Sequence, residues 1–381
     1  MTSTRAKIAS AEAEDPAALI AVDRATAELR RGGPIVLHDQ TARVWLVVAA
    51  ETAEDEGIAR LRAMGEADPQ LVLTAERAAA LGLGQEAADV VSLLLPTRLP
   101  AAVFWHLADP TAARLAATPS GLSRGDVPVD IAVAVVDLAK LARLLPAAIV
   151  TPLRLQSATH AAEWAHSRGL LDVSVGAIEG YQLAAARSLR IVSEARVPLA
   201  GAENTRVIAF RPGDGGTEHL AIIIGEPPRD RSVLTRLHSE CFTGDLLGSL
   251  RCDCGDQLRG AITEIARHGN GLLIYLAQEG RGIGLVNKLR AYRLQDQGAD
   301  TFDANQQLGF DADERVYLPA AEMLRQLGFR EVRLMTNNPA KMAGLARCGI
   351  AVVERVPHVF PANAHNDRYL ETKAVKFGHL F

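Results

Sequence analysis

All four cysteines of this 381-residue chain lie after residue 240, and three stand close together in HSECFTGDLLGSLRCDCGDQL. Cys241, Cys252 and Cys254 give the spacing C-x10-C-x-C. So few cysteines exclude a disulfide scaffold, and their clustering favours a metal site or catalysis. Three thiolates can hold Zn²⁺ and leave a fourth tetrahedral position for water, which is the arrangement of a catalytic site. The alternative is three small buried apolar side chains, because free cysteines are commonly buried. Cys348 stands beside Gly349 at the end of a predicted helix, and we expect it in the core.

The two halves of the chain differ in composition. Eight of the nine Phe and all five Tyr lie after residue 180, whereas the first half is rich in Ala and Leu. A chain of this length suggests two or three domains of about 150 residues. The asymmetry predicts two units joined within residues 190–205. We place one domain at 1–195 and the other at 196–381.

The charge balance and the hydropathy pattern exclude several classes of protein. Lys+Arg 41 against Asp+Glu 45 leaves a net charge of −4, which argues against binding to nucleic acid or to anionic membranes. No apolar run approaches the ~20 residues of a membrane-spanning helix. The acidic N-terminus lacks the apolar segment of a signal peptide. We therefore expect a cytoplasmic protein.

Alternating helical and strand patterns predict a mixed α/β (α+β) fold for both domains. Residues 1–18 are expected to fray, and 110–128 to form a loop. In the first half we expect helices at 19–29, 58–64, 76–81, 138–145 and 161–168, and strands at 35–37, 44–49, 71–74 and 131–136. In the second half we expect strands at 205–211, 220–225, 232–238 and 272–277. Second-half helices are expected through 258–266, through 285–292, from Pro319 to Gly328 and from Pro339 to Gly349.

Three further segments of the second half carry candidate binding residues. QEGRGIGL, 278–285, offers backbone N–H groups and Arg281 to a phosphate, although it lacks the dinucleotide fingerprint and the P-loop lysine. Arg281 could equally be a solvated loop arginine. DADERVY, 311–317, is dense in charge, as solvated loops often are. TNNPAK, 336–341, can hold an anion at a helix N-terminus or simply cap that helix.

Taken together, in this order and at unbroken spacing, these four segments resemble GTP cyclohydrolase II. The resemblance runs from about Glu194 to Phe381 and includes the closing segments VERVP and YLETKAVKFGH. It implies a domain with a mixed sheet and flanking helices, and a homodimer. The implied reaction converts GTP and water to 2,5-diamino-6-(5-phospho-D-ribosylamino)pyrimidin-4(3H)-one, formate and diphosphate, which opens riboflavin biosynthesis.

The resemblance also implies roles for single residues. Cys241, Cys252 and Cys254 match zinc ligands, and Mg²⁺ serves the triphosphate. Tyr292 matches a tyrosine that contacts the guanine, Asp313 a general base, and Arg315 a nucleophile toward the α-phosphorus. The matching GTP contacts are Arg236, Leu237, His238, Ser239, Glu240, Gln257, Glu279, Gly280, Arg281, Thr301, Thr336 and Lys341. From the residues alone, core packing explains Tyr292 on its apolar helix face equally well, and an always-protonated guanidinium is a poor nucleophile.

Two positions depart from the pattern of the family. Ala277 precedes QEGR where Arg or a similar polar residue is expected, and Val316 follows DER where an acidic residue is common. They leave open a paralogue that acts on a related nucleotide or in pyrimidine catabolism. A non-catalytic nucleotide-binding regulator is a further alternative. The intact thiol trio and the intact pair Asp313 and Arg315 argue against that regulator, because a protein that only binds a nucleotide needs neither the trio nor the pair.

The first half resembles 3,4-dihydroxy-2-butanone 4-phosphate synthase more weakly, through ELRRGGPIVLHD, LVVAAE, LVLTAERAAALGL, VDLAKLARLLPAAIV and AAEWAHSRGLLDVSVGAIEGYQ. That family has a dense acidic loop, where this chain reads HDQTARVW with Asp39 as the lone carboxylate. Its Gly-His-Thr-Glu segment is absent near 133–137. Mg²⁺ needs several oxygen ligands, so we expect a non-catalytic domain retained for packing, dimerisation or regulation. The half contains four histidines outside any metal motif: His38, His106, His160 and His166.

Overall fold

The computed structural model describes residues 16–41, 43–83, 89–96, 99–112, 119, 121–155, 158–360 and 376. The chain divides into two compact units. The first contains Met1–Ala184, Val286–Ala299 and Asp303–Asp313, and the second contains Ala185–Leu285, Asp300–Phe302 and Glu314–Phe381. Among the described residues, no helix is long and apolar enough to cross a membrane. Of the residues 1–18 expected to fray, 16–18 belong to the helix Pro16–Arg30, so the prediction is wrong there. Residues 1–15 and most of the YLETKAVKFGH segment lie outside the described residues.

The first unit is built on one mixed seven-stranded sheet, with the strand order β5-β4-β3-β6-β2-β1-β7. Its strands are β1 (Ile35–His38), β2 (Val44–Ala49), β3 (Gln70–Thr74), β4 (Val90–Leu94), β5 (Ser123–Arg124), β6 (Ala147–Leu153) and β7 (Leu171–Ser174). Strands β1 and β7 pair in parallel, and the other described pairs are antiparallel. Strands β2 and β3 are buried along their whole length, which fits the apolar runs VWLVVA in β2 and LVL in β3.

Seven helices precede, connect or follow the strands of this sheet along the chain. They are α1 (Pro16–Arg30), α2 (Asp55–Met64), α3 (Ala75–Ala80), α4 (Ala101–Ala108), α5 (Val129–Leu141), α6 (Ala158–Ser167) and α7 (Val175–Arg187). The main core joins α1 and α5 to the sheet, through residues such as Val22, Leu29, Val47 and Val135. Helix α1 carries its buried residues at 19, 22, 25, 26 and 29, a helical spacing that explains why this apolar face is covered.

The strand predicted at 131–136 is wrong, because these residues belong to helix α5. A short apolar run rich in β-branched residues fits a strand or a buried helix equally well by periodicity. In the helix, Ile131, Val135 and Leu138 share one face and are completely buried. The helix predicted at 138–145 is the end of α5, which stops at Leu141. Burial of the shared face therefore overrides the strand propensity of valine.

The second unit is built on another mixed seven-stranded sheet, with the order β14-β13-β11-β12-β10-β9-β8. Its strands are β8 (Arg190–Arg196), β9 (Thr205–Arg211), β10 (His219–Ile224), β11 (Val233–Ser239), β12 (Gly271–Leu276), β13 (Glu331–Met335) and β14 (Ala351–Val356). The four strands β12, β11, β13 and β14 are parallel. Strands β9 to β12 lie within one residue of the predicted bounds, whereas β8 and β14 were not predicted.

The remaining helices are α8 (Cys254–His268), α9 (Leu285–Asp296), α10 (Thr301–Gln307), α11 (Leu318–Gln326) and α12 (Pro339–Arg347). Helix α8 packs on one face of the second sheet, with Ala261 and Ile265 against Leu234 and Leu273. Helices α11 and α12 cover residues of the other face. Cys348 packs against that second core, as expected.

The parallel strands bring three sequence motifs to one edge of the second sheet. Strand β11 ends just before the first cysteine, β12 just before QEGR and β13 just before TNNPAK. Strand β11 lies between β12 and β13. Ligands of open α/β sheets bind at the carboxyl ends of parallel strands. The topology therefore gathers these motifs where a ligand site is expected.

Candidate active site

Three thiols form a compact cluster at this edge. Cys241 follows β11, and Cys254 begins α8. The sulfur atoms of Cys241, Cys252 and Cys254 all lie within 4.8 Å of one another, and those of Cys241 and Cys252 are 3.8 Å apart. The neighbouring Cys241 thiol and burial raise the pKa of Cys252 to about 11. In the part of the chain that the structure describes, this is the group with the composition and spacing of a metal site.

Gly244 lies directly against the thiol cluster. A Cβ atom at this position would stand 2.8 Å from Cys252 Sγ, 2.9 Å from Cys254 Cβ and 3.0 Å from Cys241 Sγ. Such distances are shorter than carbon and sulfur atoms tolerate, so only glycine lets the turn close over the sulfurs. Gly244 belongs to a π-helical turn, Phe242–Leu246, and turns of this kind are frequent at functional sites. The thiols therefore lie in a shaped cradle, which fits a bound metal ion better than a loose apolar core.

The carboxylate of Asp245 holds the residues around the first thiol. It accepts hydrogen bonds from the Cys241 N–H and the Tyr275 hydroxyl, each at 3.0 Å. His238 Nε2 lies 3.0 Å from both carboxylate oxygens. Burial lowers the pKa of His238. Sequence reasoning missed Asp245 and Tyr275, although Asp245 stands four residues after Cys241 within the quoted motif.

Strand β11 carries the predicted contacts Arg236 to Ser239, and Glu240 follows its last residue. Arg236 is buried, donates to the Met335 carbonyl at 2.9 Å and also donates to the Gln257 side chain. Burial lowers the pKa of Arg236 to about 10, which still leaves it positively charged at neutral pH. The Leu237 carbonyl accepts from Lys341 Nζ at 3.0 Å. Two buried cationic side chains therefore flank the carboxyl half of this strand.

The QEGR segment forms a tight turn after β12. Glu279 is buried and accepts from the Phe242 N–H at 2.6 Å and from the Gly280 N–H at 2.8 Å. Gly280 and Arg281 both have left-handed backbone, with φ of 63° and 65°. This conformation strains a non-glycine residue such as Arg281, and strain of this kind clusters at ligand sites. Glu279 thereby ties the turn to the segment that follows Cys241.

Gln278 connects three of the motifs and was not predicted as a site residue. Its Nε2 donates to Ser239 Oγ at 3.0 Å, and its Oε1 accepts from the Val316 N–H at 3.1 Å. The end of β11, the QEGR turn and the chain after Arg315 are thus joined by one amide. Arg315 is half-buried and belongs to the second unit.

The TNNPAK segment caps helix α12 as predicted. Asn338 Oδ1 accepts from the Ala340 N–H at 2.8 Å, and Thr336 Oγ1 accepts from the Asn338 N–H at 3.0 Å. Asn337 exchanges hydrogen bonds with the main chain of His358, whose ring nitrogen Nε2 lies 2.9 Å from the Gln257 carbonyl. Burial lowers the pKa of His358 to about 4. These bonds link the residue after β13 to Gln257 on α8.

Tyr292 and Asp313 belong to the first unit, whereas the predicted contact Thr301 belongs to the second. Tyr292 is half-buried on α9, with Lys288 Nζ 5.7 Å from its ring centroid. Leu285, Leu289 and Tyr292 share one apolar face of this helix by spacing, but Leu289 is 50% exposed, so burial of that face is wrong there. The buried residues of this helix are Asn287, Lys288, Ala291 and Leu294. Arg290 on the same helix donates to Asp109 and Glu51 within the first unit, and these contacts explain the inversion.

Comparison with known proteins agrees with the motifs. A family model described as GTP cyclohydrolase II matches residues 190–357. A protein named GTP cyclohydrolase-2 from Azospirillum brasilense is 59% identical over 96% of this chain and 95% of its own. The chain belongs to the GTP cyclohydrolase II family. It is accordingly a hydrolase of that family.

Two further relatives extend the comparison. The riboflavin biosynthesis protein RibBA of Synechocystis is 45% identical over 65% of this GTP cyclohydrolase II chain and 45% of its own. A two-domain 3,4-dihydroxy-2-butanone 4-phosphate synthase of A. baumannii, known from its crystal structure, covers 89% of this chain and 99% of its own, with 18% identity and a TM-score of 0.36. The relationship of the first half to that family rests on its sequence segments.

Both departures of this chain from the family pattern make their hydrogen bonds through the main chain. The Ala277 N–H donates to His219 Nδ1 at 3.0 Å. The Val316 N–H donates to Gln278 Oε1 at 3.1 Å. Any residue other than proline supplies these donors. Neither contact therefore favours a paralogue with another substrate.

Asp39 is the lone carboxylate of the loop HDQTARVW in the first half, and its oxygens accept hydrogen bonds from that same loop. It accepts from the Thr41 and Arg43 N–H groups, both at 2.9 Å, and from Arg43 Nε at 2.6 Å. Burial raises its pKa, but the hydrogen bonds from Thr41 and Arg43 outweigh that effect and lower it. Of the described histidines, His38 lies 3.4 Å from Asp172, and His106 Nδ1 lies 2.5 Å from the Ala102 carbonyl. These contacts are ordinary structural ones.

Proposed function

We propose that this chain hydrolyses GTP to 2,5-diamino-6-(5-phospho-D-ribosylamino)pyrimidin-4(3H)-one, formate and diphosphate. The observation that carries the proposal is the cluster of three sulfurs within 4.8 Å, cradled by Gly244. The names of the Azospirillum and Synechocystis relatives support GTP as substrate and riboflavin biosynthesis as the pathway. This reaction would be the first step of riboflavin biosynthesis.

Cys241, Cys252 and Cys254 would hold one zinc ion per chain. The donor set fits, because soft thiolates select zinc, and the sulfurs are already gathered in the fold. Zinc with three protein ligands supplies a Lewis acid that makes water nucleophilic near pH 7. Two hydrolytic steps at C8 of the guanine, each consuming one water, would break the two bonds from C8 to nitrogen, protonate both nitrogens and release C8 as formate. Mg²⁺ would be bound through the substrate phosphates and waters, as is usual for this ion.

The buried cations of the second unit are suited to the triphosphate. Arg236 offers a planar guanidinium, and Lys341 a compact ammonium. Arg281 stands in the strained turn after β12, the strand that pairs with β11. Arginine binds phosphate oxygens in pairs, and this geometry fixes orientation as well as affinity. We assign the remaining predicted contacts on β11, the QEGR turn and TNNPAK to the same substrate.

Arg315 and Asp313 are proposed to act at the α-phosphorus. A bond from an Arg315 guanidinium nitrogen to that phosphorus forms, and the bond to the leaving diphosphate breaks. Asp313 accepts the guanidinium proton, which is required because a protonated guanidinium is not nucleophilic. Water later cleaves the phosphorus–nitrogen bond and restores Arg315. Tyr292 is proposed to contact the guanine.

The first half is proposed to be catalytically silent, and the protein to be a cytoplasmic homodimer. Asp39 is saturated by its own loop, which leaves little for a magnesium ion that needs several oxygen ligands. We expect the full chain to leave ribulose 5-phosphate unconverted. Formation of dihydroxybutanone phosphate above a no-enzyme blank would contradict this assignment.

One experiment tests the main proposal. Purified full-length protein is incubated with GTP and Mg²⁺, formate is quantified, the nucleotide product is identified by mass, and zinc is measured per chain. Wild type is expected to release formate and to contain about one zinc. Cys252→Ser is expected to lose both zinc and formate release. Cys348→Ser is the matched control, because that thiol packs in the core of the second unit outside the trio. Full zinc and activity in Cys252→Ser would refute the site.

A further inference from the structure

One buried carboxylate collects donors from three separate parts of the second unit. Asp245, in the turn after Cys241, receives the Cys241 N–H and the Tyr275 hydroxyl at 3.0 Å each, and His238 Nε2 at the same distance. The Asp245 side chain is only 8% exposed, so little water competes for it. The Asp245 N–H also donates to the Cys241 carbonyl at 2.7 Å. The two residues are therefore joined by two hydrogen bonds.

The same contact determines which nitrogen of His238 carries the proton. An ionised carboxylate can only accept hydrogen bonds, so Nε2 must be the donor. The ring is 3% exposed, and burial lowers its pKa, so the neutral form predominates and Nδ1 keeps its lone pair. Nδ1 is buried, with no hydrogen-bond partner among the described residues. The Tyr275 ring stacks on it with centroids 5.5 Å apart and an angle of 18°, which fixes the ring plane.

We propose that Asp245 is a positioning residue that fixes the main chain of Cys241 and holds His238 in its Nε2–H tautomer. Side chains that orient ligands from outside the coordination sphere generally change metal affinity or activity 10–100-fold when replaced, by order of magnitude. The inference rests on the proposed function, since it takes Cys241 as a metal ligand and His238 as a substrate contact. Asp245 acts through these two residues.

Asp245→Asn tests both roles, the fixing of the Cys241 main chain and the choice of the His238 tautomer. The amide keeps one acceptor oxygen for Cys241 and Tyr275, but its NH₂ group faces His238 and requires an acceptor there. His238 is then expected to change to the Nδ1–H tautomer. Long-range proton–nitrogen NMR of protein labelled at histidine nitrogens reads this change directly. Zinc affinity, measured by chelator competition, is expected to fall about 10-fold or more, with a similar loss in kcat/KM for formate release.

Asp214→Asn is the matched control. Its carboxylate also accepts a backbone N–H, from Gly216 at 2.8 Å, in a turn of the same unit. It is expected to keep the wild-type tautomer, zinc affinity and kinetics. Tyr275→Phe removes one donor and keeps the stacked ring, so it is expected to retain the tautomer and to weaken zinc binding less than Asp245→Asn. This variant supplies the test if Asp245→Asn fails to fold by circular dichroism.

The outcomes distinguish this inference from the proposed function. An unchanged tautomer and unchanged zinc affinity in Asp245→Asn would overturn the positioning role. If Asp245→Asn does not fold, a zinc affinity of Tyr275→Phe equal to that of Asp214→Asn would overturn the positioning role. If wild type released no formate while Asp245→Asn still shifted the tautomer and zinc affinity, the positioning role would stand and the proposed reaction would fail.

Discussion

Arg290 on α9 is the centre of a buried charge cluster within the first unit. Its guanidinium donates to Asp109 and to Glu51 at 2.9 Å each, and to Asn287 at 2.7 Å. The side chains of Arg290, Glu51 and Asp109 are 15%, 13% and 3% exposed. This cluster explains why the polar face of α9 is the buried one. Replacing Arg290 should therefore lower the free energy of unfolding of the first unit.

Arg290→Met removes the cation and leaves two carboxylates buried. Breaking a buried ion pair from one side costs about 3–5 kcal/mol. The lower end applies, because Glu51 still accepts from the Leu145 N–H and Asp109 from the Thr111 N–H, both at 2.7 Å. For a unit of about 200 residues, a loss of about 3 kcal/mol lowers the midpoint of thermal unfolding by roughly 6–12 °C.

Tryptophan fluorescence measures this loss in the right unit, because Trp45, Trp105 and Trp164 all lie in the first half. The control is Arg333→Met, which removes an exposed pair with Glu354 in the second unit and is expected to cost below about 1 kcal/mol. Adding Glu51→Gln and Asp109→Asn to Arg290→Met should recover part of the stability. A midpoint for Arg290→Met within 2 °C of the control, a margin of roughly 1 kcal/mol, would refute the reasoning.

Three further predictions concern the second unit. Gly244→Ala should displace a thiol, because its Cβ would lie 2.8 Å from Cys252 Sγ; zinc per chain and formate release should both fall, and full zinc content would contradict the cradle. His358 has its pKa lowered from 6.5 to about 4 by burial, so its contribution to stability is complete above pH 6.5 and is lost as pH falls toward 4. The unfolding free energy should drop by up to about 3 kcal/mol over that range, and His358→Gln should flatten the slope; an equal slope in both proteins would exclude His358 as the cause. Arg315→Ala should suppress diphosphate release, and Arg315→Lys should not restore it, because lysine lacks the planar fork. Parallel assays of diphosphate and formate check this, and wild-type rates in Arg315→Ala would make it an ordinary loop arginine.

Much of the second sheet was predictable because its strands alternate with clear turn residues. Thr205–Arg211 carries a strand pattern between loops, and Pro339 with Gly349 marks both ends of α12. The thiol cluster was also predictable, since its spacing is local. The edge strand β8 was not, because all its residues are exposed and no burial pattern marks it.

The errors share a physical cause, which is that burial depends on residues distant in sequence. Helix α5 was predicted in part as a strand, because only the packed core shows that Ile131 and Val135 face the same side. The buried face of α9 contains Asn287 and Lys288, which sequence rules place in water. Asp245 was missed because three donors reach it from positions 4 to 30 residues away.

The discontinuous make-up of the first unit has a consequence for its synthesis. Arg77 donates to the Gln307 carbonyl at 3.1 Å, and Asn287 donates to the Arg143 carbonyl at the same distance. These partners leave the ribosome more than 100 residues apart, which at about 5–20 residues per second is a wait on the order of 10 s. The nascent first half therefore emerges before the two segments that complete the first unit, Val286–Ala299 and Asp303–Asp313. A gene split at codon 195 would put these partners on separate polypeptides, so the two halves of this protein cannot be exchanged as independent cassettes.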